Sequence, residues 1–342
     1  RGNLPLAMLL FAVWASVVRY AATVIYDRTV WRPNWLVVGD EADTASMERE
    51  YRESMSPGSM RRVSLPEFNE LLLSTVPGPG TLDASGVILG SHEHLSDEAV
   101  QRLMLFRLCG TPVVGMADFY EQYLLKVPVD RLRDRWFVFS GGFSLIHHDI
   151  AYKIKRIADV ALSAVGLVLA LPVMLVVGIA VASSSKGPVF YVQERYGQRR
   201  EVVRLRKFRT MVENAELEGA QWSQPGDPRI TPLGKFLRSS RLDELPQLWN
   251  VLMGDMSFIG PRPERPGFVH ELEKQIPYYD LRHMVKPGIT GWAQVMYPYG
   301  RSVEDALRKL EYDLYYIKNY SLTLDVYILL RTVRTVFSRS GQ

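Results

Sequence analysis

The sequence predicts an α/β membrane protein. It has an N-terminal transmembrane helix, a small domain built on a parallel sheet, and a mainly helical domain held at the membrane by a re-entrant helix broken at Pro172. Three observations predict this. Two long apolar segments, Leu4 to Tyr26 and Val160 to Ala182, stand out in a chain whose mean hydropathy is only −0.05. Between them, short apolar runs ending in glycine alternate with a helix-like stretch. After the second segment the composition turns basic and aromatic. The expected divisions are 1–30, 31–140 and 141–342, with the re-entrant helix at about 154–183.

The first segment is interrupted only by Arg19 and is long enough to cross a bilayer. It lacks the small-residue cleavage site of a signal peptide. Arg19, Arg28 and Arg32 place the next part of the chain on the cytoplasmic side. The abrupt start at Arg1 predicts that earlier membrane helices precede it.

In the next part, "WLVVGD", "GVILGS" and "TPVVGM" read as buried strands. "SDEAVQRLMLFRLCG" between the last two reads as a helix, with Ser96 as its cap and Gly110 as its stop. Strand, helix, strand implies a small Rossmann-like parallel sheet. A dinucleotide site needs Gly-x-Gly-x-x-Gly after the first strand. That place reads "GDEADTAS", whose acids repel a pyrophosphate, so a structural or regulatory module without dinucleotide is expected. "STVPGPGTLDASG" is a loop by its Pro and Gly content. Cys109, the single cysteine, excludes an intrachain disulfide and is expected to be a small buried hydrophobe. His92 and His94 do not have metal-site spacing, and His147 and His148 read as a polar hinge.

The second apolar segment has basic residues on both sides: Lys153, Lys155 and Arg156 before it, Lys186, Arg195, Arg199 and Arg200 after it. Basic flanks prefer the cytoplasm, so a helix that enters, breaks at Pro172 and returns satisfies both. A kinked spanning helix is the alternative. Asp159 is expected to pair with Lys155 or Arg156 one turn away.

The net charge of +4 and a pI of about 9.0 admit nucleic acid, an anionic membrane or a phosphorylated substrate. The basic, aromatic stretch directly follows a membrane element, which favours an enzyme binding phosphates over nucleic acid. In "SSRLDELPQLWNVL", Ser240 and Asp243 resemble a capping box, and Pro246 fits a first turn. Asp243 and Glu244 would then sit at a helix N-terminus, with Leu245, Leu248, Trp249 and Leu252 along one face. Arg238 and Arg241 precede the acids, and "GPRP" fixes Arg262 between prolines. Two acids and several guanidinium groups suit phosphoryl transfer, with one carboxylate attacking phosphorus and the other holding Mg2+. Two amphipathic tail segments, one carrying Leu307, Leu310, Leu314 and Ile317, the other Leu322 to Phe337, read as membrane-surface helices, with a packed core helix as the alternative.

The motifs "KIKRIADVALS", "GPVFYVQERYG", "LRKFRTM", "TPLGKFLRSSRLDELPQLWNVLMGDMSFIGPRPE" and "KPGITGWAQV" together resemble the bacterial sugar transferases. These are monotopic polyprenyl-phosphate phosphoglycosyl transferases, and the likeness covers Tyr152 to Phe337. The N-terminal part resembles the extra region of the long members, with a CoA-binding-like domain. The resemblance implies a helix broken at Pro172, Asp243 as nucleophile and Glu244 as Mg2+ ligand. Arg262 would bind phosphate. Lys207, Arg209, Glu194 and Arg238 are further substrate-site candidates. A UDP-sugar and undecaprenyl phosphate would be the substrates, UMP the leaving group, and the bacterial inner membrane the location. Membrane lipids and a second copy are expected partners. A non-catalytic scaffold or nucleotide sensor, and a glycosyl transferase releasing UDP, are the rival readings.

Overall fold

The computed structural model describes residues 33–337, apart from 55–57, 79, 91–94, 133, 144–148, 214, 216–225, 298–299 and 301. The first predicted membrane helix lies outside the described residues, as do His92, His94, His147 and His148. The chain divides into two compact units, Arg1–Leu124 and Leu125–Gln342.

The first unit is built on four parallel strands: β1 (Asn34–Val38), β2 (Ser59–Val63), β3 (Gly86–Leu89) and β4 (Val113–Gly115), in the order β2-β1-β3-β4. Strand alternation sends Leu36, Val38, Val87 and Leu89 to one face, against Phe68, Leu72, Leu103 and Phe106. Trp35, Val37 and Ile88 point to the other, against Met47, Tyr51, Phe119 and Tyr120. The parallel sheet is the predicted one. Three helices, α1 (Glu41–Glu53), α2 (Leu65–Ser74) and α3 (Asp97–Leu108), connect its strands. Ser96 caps α3 by accepting from the Ala99 N–H at 3.2 Å, as its position suggests. The acid-rich stretch after Gly39 forms the start of α1. One feature differs from expectation. Cys109 is exposed, because it lies at the C-cap of α3, past the last turn that packs on the sheet.

In the second unit, α4 (Asp149–Ser184) is 36 residues long with Pro172 inside it. Only 11% of its most apolar window is buried, and Val168, Leu169, Leu175, Val176 and Ile179 face outward. By length and composition α4 is long and apolar enough to cross a membrane. The antiparallel pair β5 (Phe190–Tyr196) and β6 (Val202–Phe208) follows, then α5 (Pro232–Ser239) and α6 (Gln247–Met253). A short parallel pair, β7 (Ser257–Ile259) and β8 (Gly288–Thr290), brackets α7 (Pro266–Glu273). The chain then forms α8 (Val303–Lys318) and α9 (Leu322–Phe337).

The core of this unit gathers Ile259, Val269, Tyr279 and Trp292 around Leu310, Leu314 and Ile317 of α8. The first tail segment is therefore a packed core helix, not a membrane-surface one: its apolar stripe has protein to bury against. In α9, Ile328 is buried while Val326, Leu330 and Val333 remain exposed. The start of α8 carries a reciprocal capping box, with the Asp305 N–H donating to Ser302 Oγ at 3.0 Å and the Ser302 N–H to Asp305 Oδ2 at 2.8 Å. Ser302→Ala is expected to cost about 1 kcal/mol, read as a lowered denaturation midpoint.

Asp159 does not pair with Lys155 or Arg156. Its Oδ1 accepts from Ser257 Oγ at 3.1 Å and from the Phe258 N–H at 3.0 Å, so it ties α4 to β7. Lys155 instead meets Asp325 at 2.8 Å, and Arg156 donates to the carbonyls of Val251 and Leu252 at the end of α6. Tertiary partners outcompete a same-helix pair because they also satisfy buried backbone groups.

Candidate active site

Three segments bring the site together. Along β6, Val203 and Leu205 point inward, and the period of two carries Lys207 to the same side. The turn after α5 supplies the acids. The "GPRP" segment after β7 supplies Arg262.

The turn is not the predicted helix start. Ser240 ends α5, and its hydroxyl donates back to the carbonyls of Phe236 and Leu237. Arg241 then takes a left-handed conformation, φ 58°, which is uncommon for a residue with a side chain. That single reversal swings Leu242–Glu244, a 3-10 turn, inward, and both acids are buried. The charge partners of Asp243 and Glu244 are therefore side chains, not a helix end. Pro246 stands at the N-cap of α6.

Glu244 Oε1 accepts from Lys207 Nζ at 2.8 Å and from Arg262 Nη2 at 3.0 Å. Burial alone raises a carboxyl pKa, but these two cations and Arg241 outweigh it and hold Glu244 well below the usual range. Asp243 differs. Burial, then the neighbouring Glu244 charge, pushes its pKa up, against the pull of Lys207, Arg238 and Arg241. Its Oδ1 is buried without a hydrogen-bond partner. Adjacent carboxylates whose environments push them apart suggest different tasks.

The Arg262 backbone is clamped from two sides. Its carbonyl accepts from Arg282 Nη2 at 2.9 Å, and Arg282 also meets Asp313 at 2.9 Å in the core. Arg195 Nη1 donates to the Pro263 carbonyl at 3.1 Å and to Glu264 at 3.2 Å. Gly260, just upstream, lies so close to Lys286 and Gly288 that a Cβ there would strike their backbone. The "KPGITG" run thus serves as the shelf on which "GPRP" rests.

The other candidate residues fall into two groups. Arg238 is near the acids, with Nε donating to Thr210 Oγ1 at 2.9 Å. Among the described residues, Arg209 and Glu194 make no hydrogen bond or ion pair with the acids, and Arg209 Nη1 is buried without a hydrogen-bond partner. Arg209 Nη2 bonds the Ser185 carbonyl at 2.7 Å and Ser185 Oγ at 3.0 Å, fastening the end of α4 to the sheet. Glu194 is exposed on β5, 3.7 Å from Arg204. Sequence reasoning misses Arg282, Asp313 and Asn250. Asn250 donates to the Arg204 carbonyl and accepts from the Arg206 N–H, joining α6 to β6. A signal for Asp313 exists: it falls on the apolar face of Leu310, Leu314 and Ile317, where a lone acid needs a cation.

On α6, Gln247, Asn250 and Val251 are buried, Leu248 and Leu252 are half-buried, and Trp249 is 44% exposed and Met253 54%. Leu248 packs over Gly166 of the apolar α4.

Among the described residues, no three His, Cys, Asp or Glu side chains cluster as a metal cage. Mg2+ does not require one, since it binds through one or two carboxylates and substrate phosphates. The orphaned Asp243 Oδ1 beside Glu244 fits that donor set.

A model of the family described as bacterial sugar transferase matches residues 150–339. The chain is 41% identical over 249 residues to the UDP-N-acetylgalactosamine-undecaprenyl-phosphate N-acetylgalactosaminephosphotransferase of Aeromonas hydrophila, covering 73% of this chain and 58% of that protein. It is 42% identical over 266 residues to the UDP-glucose:undecaprenyl-phosphate glucose-1-phosphate transferase of Klebsiella pneumoniae, covering 74% and 54%. It is 36% identical over 229 residues to the undecaprenyl-phosphate galactose phosphotransferase of Salmonella typhimurium, covering 61% and 47%. The chain spans about half the length of these relatives.

Proposed function

We propose that this chain, which belongs to the bacterial sugar transferase family, transfers a sugar 1-phosphate from a UDP-sugar to undecaprenyl phosphate and releases UMP. The single observation that carries the reading is the Asp243 carboxylate, buried and unpaired beside a Glu244 already held by Lys207 and Arg262. Asp243 is the oxygen nucleophile. It attacks the β-phosphorus of the donor, the bond to the UMP oxygen breaks, and a sugar-phosphoryl aspartate forms. An oxygen of undecaprenyl phosphate then attacks the same phosphorus, and the aspartate leaves. One site can thereby serve a soluble donor and a lipid acceptor in turn, by ping-pong kinetics.

Lys207, Arg238 and Arg262 bind and orient the phosphates, and the double clamp on the Pro-Arg-Pro backbone keeps the Arg262 guanidinium from drifting. Glu244, with Asp243 adjacent, would hold Mg2+, which supplies charge neutralisation of the diphosphate when bound.

The membrane geometry rests on the ties made by α4. A straight helix of 36 residues would be about 54 Å long. Arg156 and Asp159 near its start bond to α6 and β7, while Val181 and Ser185 at its end bond to Arg209. Both ends thus belong to one protein body, which supports a helix that enters and leaves the cytoplasmic leaflet of the inner membrane, bending at Pro172. The acids then lie at headgroup depth, where the acceptor phosphate is. Such a product is the first lipid-linked unit of a surface polysaccharide.

A panel of UDP-sugars with undecaprenyl phosphate and Mg2+ tests the reading. UMP is expected to leave from at least one donor. Release of UDP, or no nucleotide from any donor, overturns it.

A further inference from the structure

A second basic site lies where α4 begins, and the proposed transfer reaction does not use it. A small open cleft is walled by Tyr152, Lys155, Arg156 and Asp159 of α4, with Gln198 and Lys286 opposite. Most of its polar groups are already engaged. Lys155 pairs with Asp325, Asp159 accepts from Ser257 and Phe258, and Gln198 Nε2 donates to the Met284 carbonyl. Tyr316 donates to Asp325, and the neighbouring Asp255 accepts from Asn250.

Lys286 is the exception. Among the described residues its ammonium has no carboxylate partner, only the Tyr152 ring at 5.8 Å. Arg156 Nη2 and Lys286 Nζ both lie within 3.4 Å of the point where a Cβ on Gly254 would stand. Two cations this close in a partly desolvated cleft repel each other, and an anion between them would relieve that repulsion. Arg156 already spends both terminal nitrogens on the Val251 and Leu252 carbonyls, so it contributes its charge, and the Lys286 ammonium is the group that donates to a phosphate oxygen.

The surroundings point to the source of the phosphate. Tyr152, Lys155, Arg156 and Asp159 share one face of α4. Ile150, Ile154 and Ile157, on the same two turns, are exposed, as is Met284 beyond Gln198. A charged cleft with an apolar apron beside it matches a headgroup with acyl chains. We propose that this cleft binds the phosphate of an anionic membrane phospholipid, as a site separate from the catalytic acids. The proposal rests on the reading of α4 as a membrane-embedded helix.

The test uses the whole chain in phosphatidylcholine nanodiscs containing a few per cent phosphatidylglycerol, with retained lipid counted by mass spectrometry. The wild type is expected to keep one phosphatidylglycerol. Lys286→Gln should lower its retention about fivefold, the effect of one surface cation, and Lys286→Arg should restore it. Lys286→Met serves as a second variant should Lys286→Gln fold poorly, and loss of retention there also supports the site. Equal retention in wild type and both variants overturns the proposal while leaving the membrane reading standing. Failure of the wild type to enter nanodiscs overturns both. Displacement of the lipid by millimolar inorganic phosphate assigns the cleft to a free anion and overturns the lipid source. Displacement by one equivalent of undecaprenyl phosphate makes it the acceptor's site and likewise overturns the proposal.

Discussion

On the proposed mechanism, Asp243→Asn is expected to abolish UMP release while leaving the protein folded. An amide oxygen is a poor nucleophile towards phosphorus, so turnover should fall by at least about a thousandfold, on the scale of losing an essential nucleophile. The fold should not suffer. The Asp243 carboxylate is buried with one oxygen unpaired and its pKa pushed up by burial, so in the native state it is a strained charge. A carboxyl whose folded pKa is raised binds its proton more tightly when folded, and deprotonation at neutral pH removes stability. The variant should therefore melt no lower than the wild type at pH 7. The same shift places the acid limb of kcat/KM above the ordinary aspartate value of 3.8, since the attacking form must be ionised. Incubation with donor alone should label the wild-type chain at Asp243 and leave the variant unlabelled. A variant that keeps turning over, or that loses activity only through unfolding, contradicts the assignment.

Arg282→Met should be the most destabilising single change near the site. It leaves Asp313, in the core with its pKa pushed up to about 6 by burial, without its cation. Breaking a buried pair in this way costs about 3–5 kcal/mol, measurable by urea unfolding. It also frees the Arg262 carbonyl, so kcat should drop even under conditions where the variant is folded. Arg282→Met combined with Asp313→Leu separates the two effects. The double variant should regain most of the stability, because no charge is stranded, yet kcat should stay low. The pH dependence carries a matching sign. The contribution of the Asp313 carboxyl to stability is complete below its unfolded value of 3.8 and is lost as pH rises through about 6. Asp313→Asn should flatten that slope.

Much of the site is legible in the sequence because its signals are local. Adjacent acids, a proline two residues later and an arginine between prolines need no long-range knowledge. The parallel sheet is legible from three apolar runs, but β2, "SMRRV", is not, since an edge strand with exposed arginines has no hydrophobic pattern. The turn at Arg241 is hidden because nothing in Ser240–Asp243 announces a left-handed arginine; a Ser-x-x-Asp spacing looks the same at a helix end as at a helix start. A basic run gives no hint that Arg209 reaches the Ser185 carbonyl. Arg282 and Asp313 lie 31 positions apart, and only the fold joins them. Periodicity groups Leu248, Trp249 and Leu252 on one side of α6, but only the packing against α4 sets how deeply each is buried.

The burial pattern of α6 decides which of its positions tolerate change. Gln247 and Asn250, polar and interior, should resist nearly every replacement, whereas Trp249 and Met253 should accept any greasy side chain of similar bulk. A redesign that sprinkles charges over the outer positions of α6 and α5 would act on the protein's affinity for lipid and hardly at all on its interior. If the proposed reaction holds, such a chain would fold with its chemistry assembled and yet be parted from a reactant that cannot leave the bilayer.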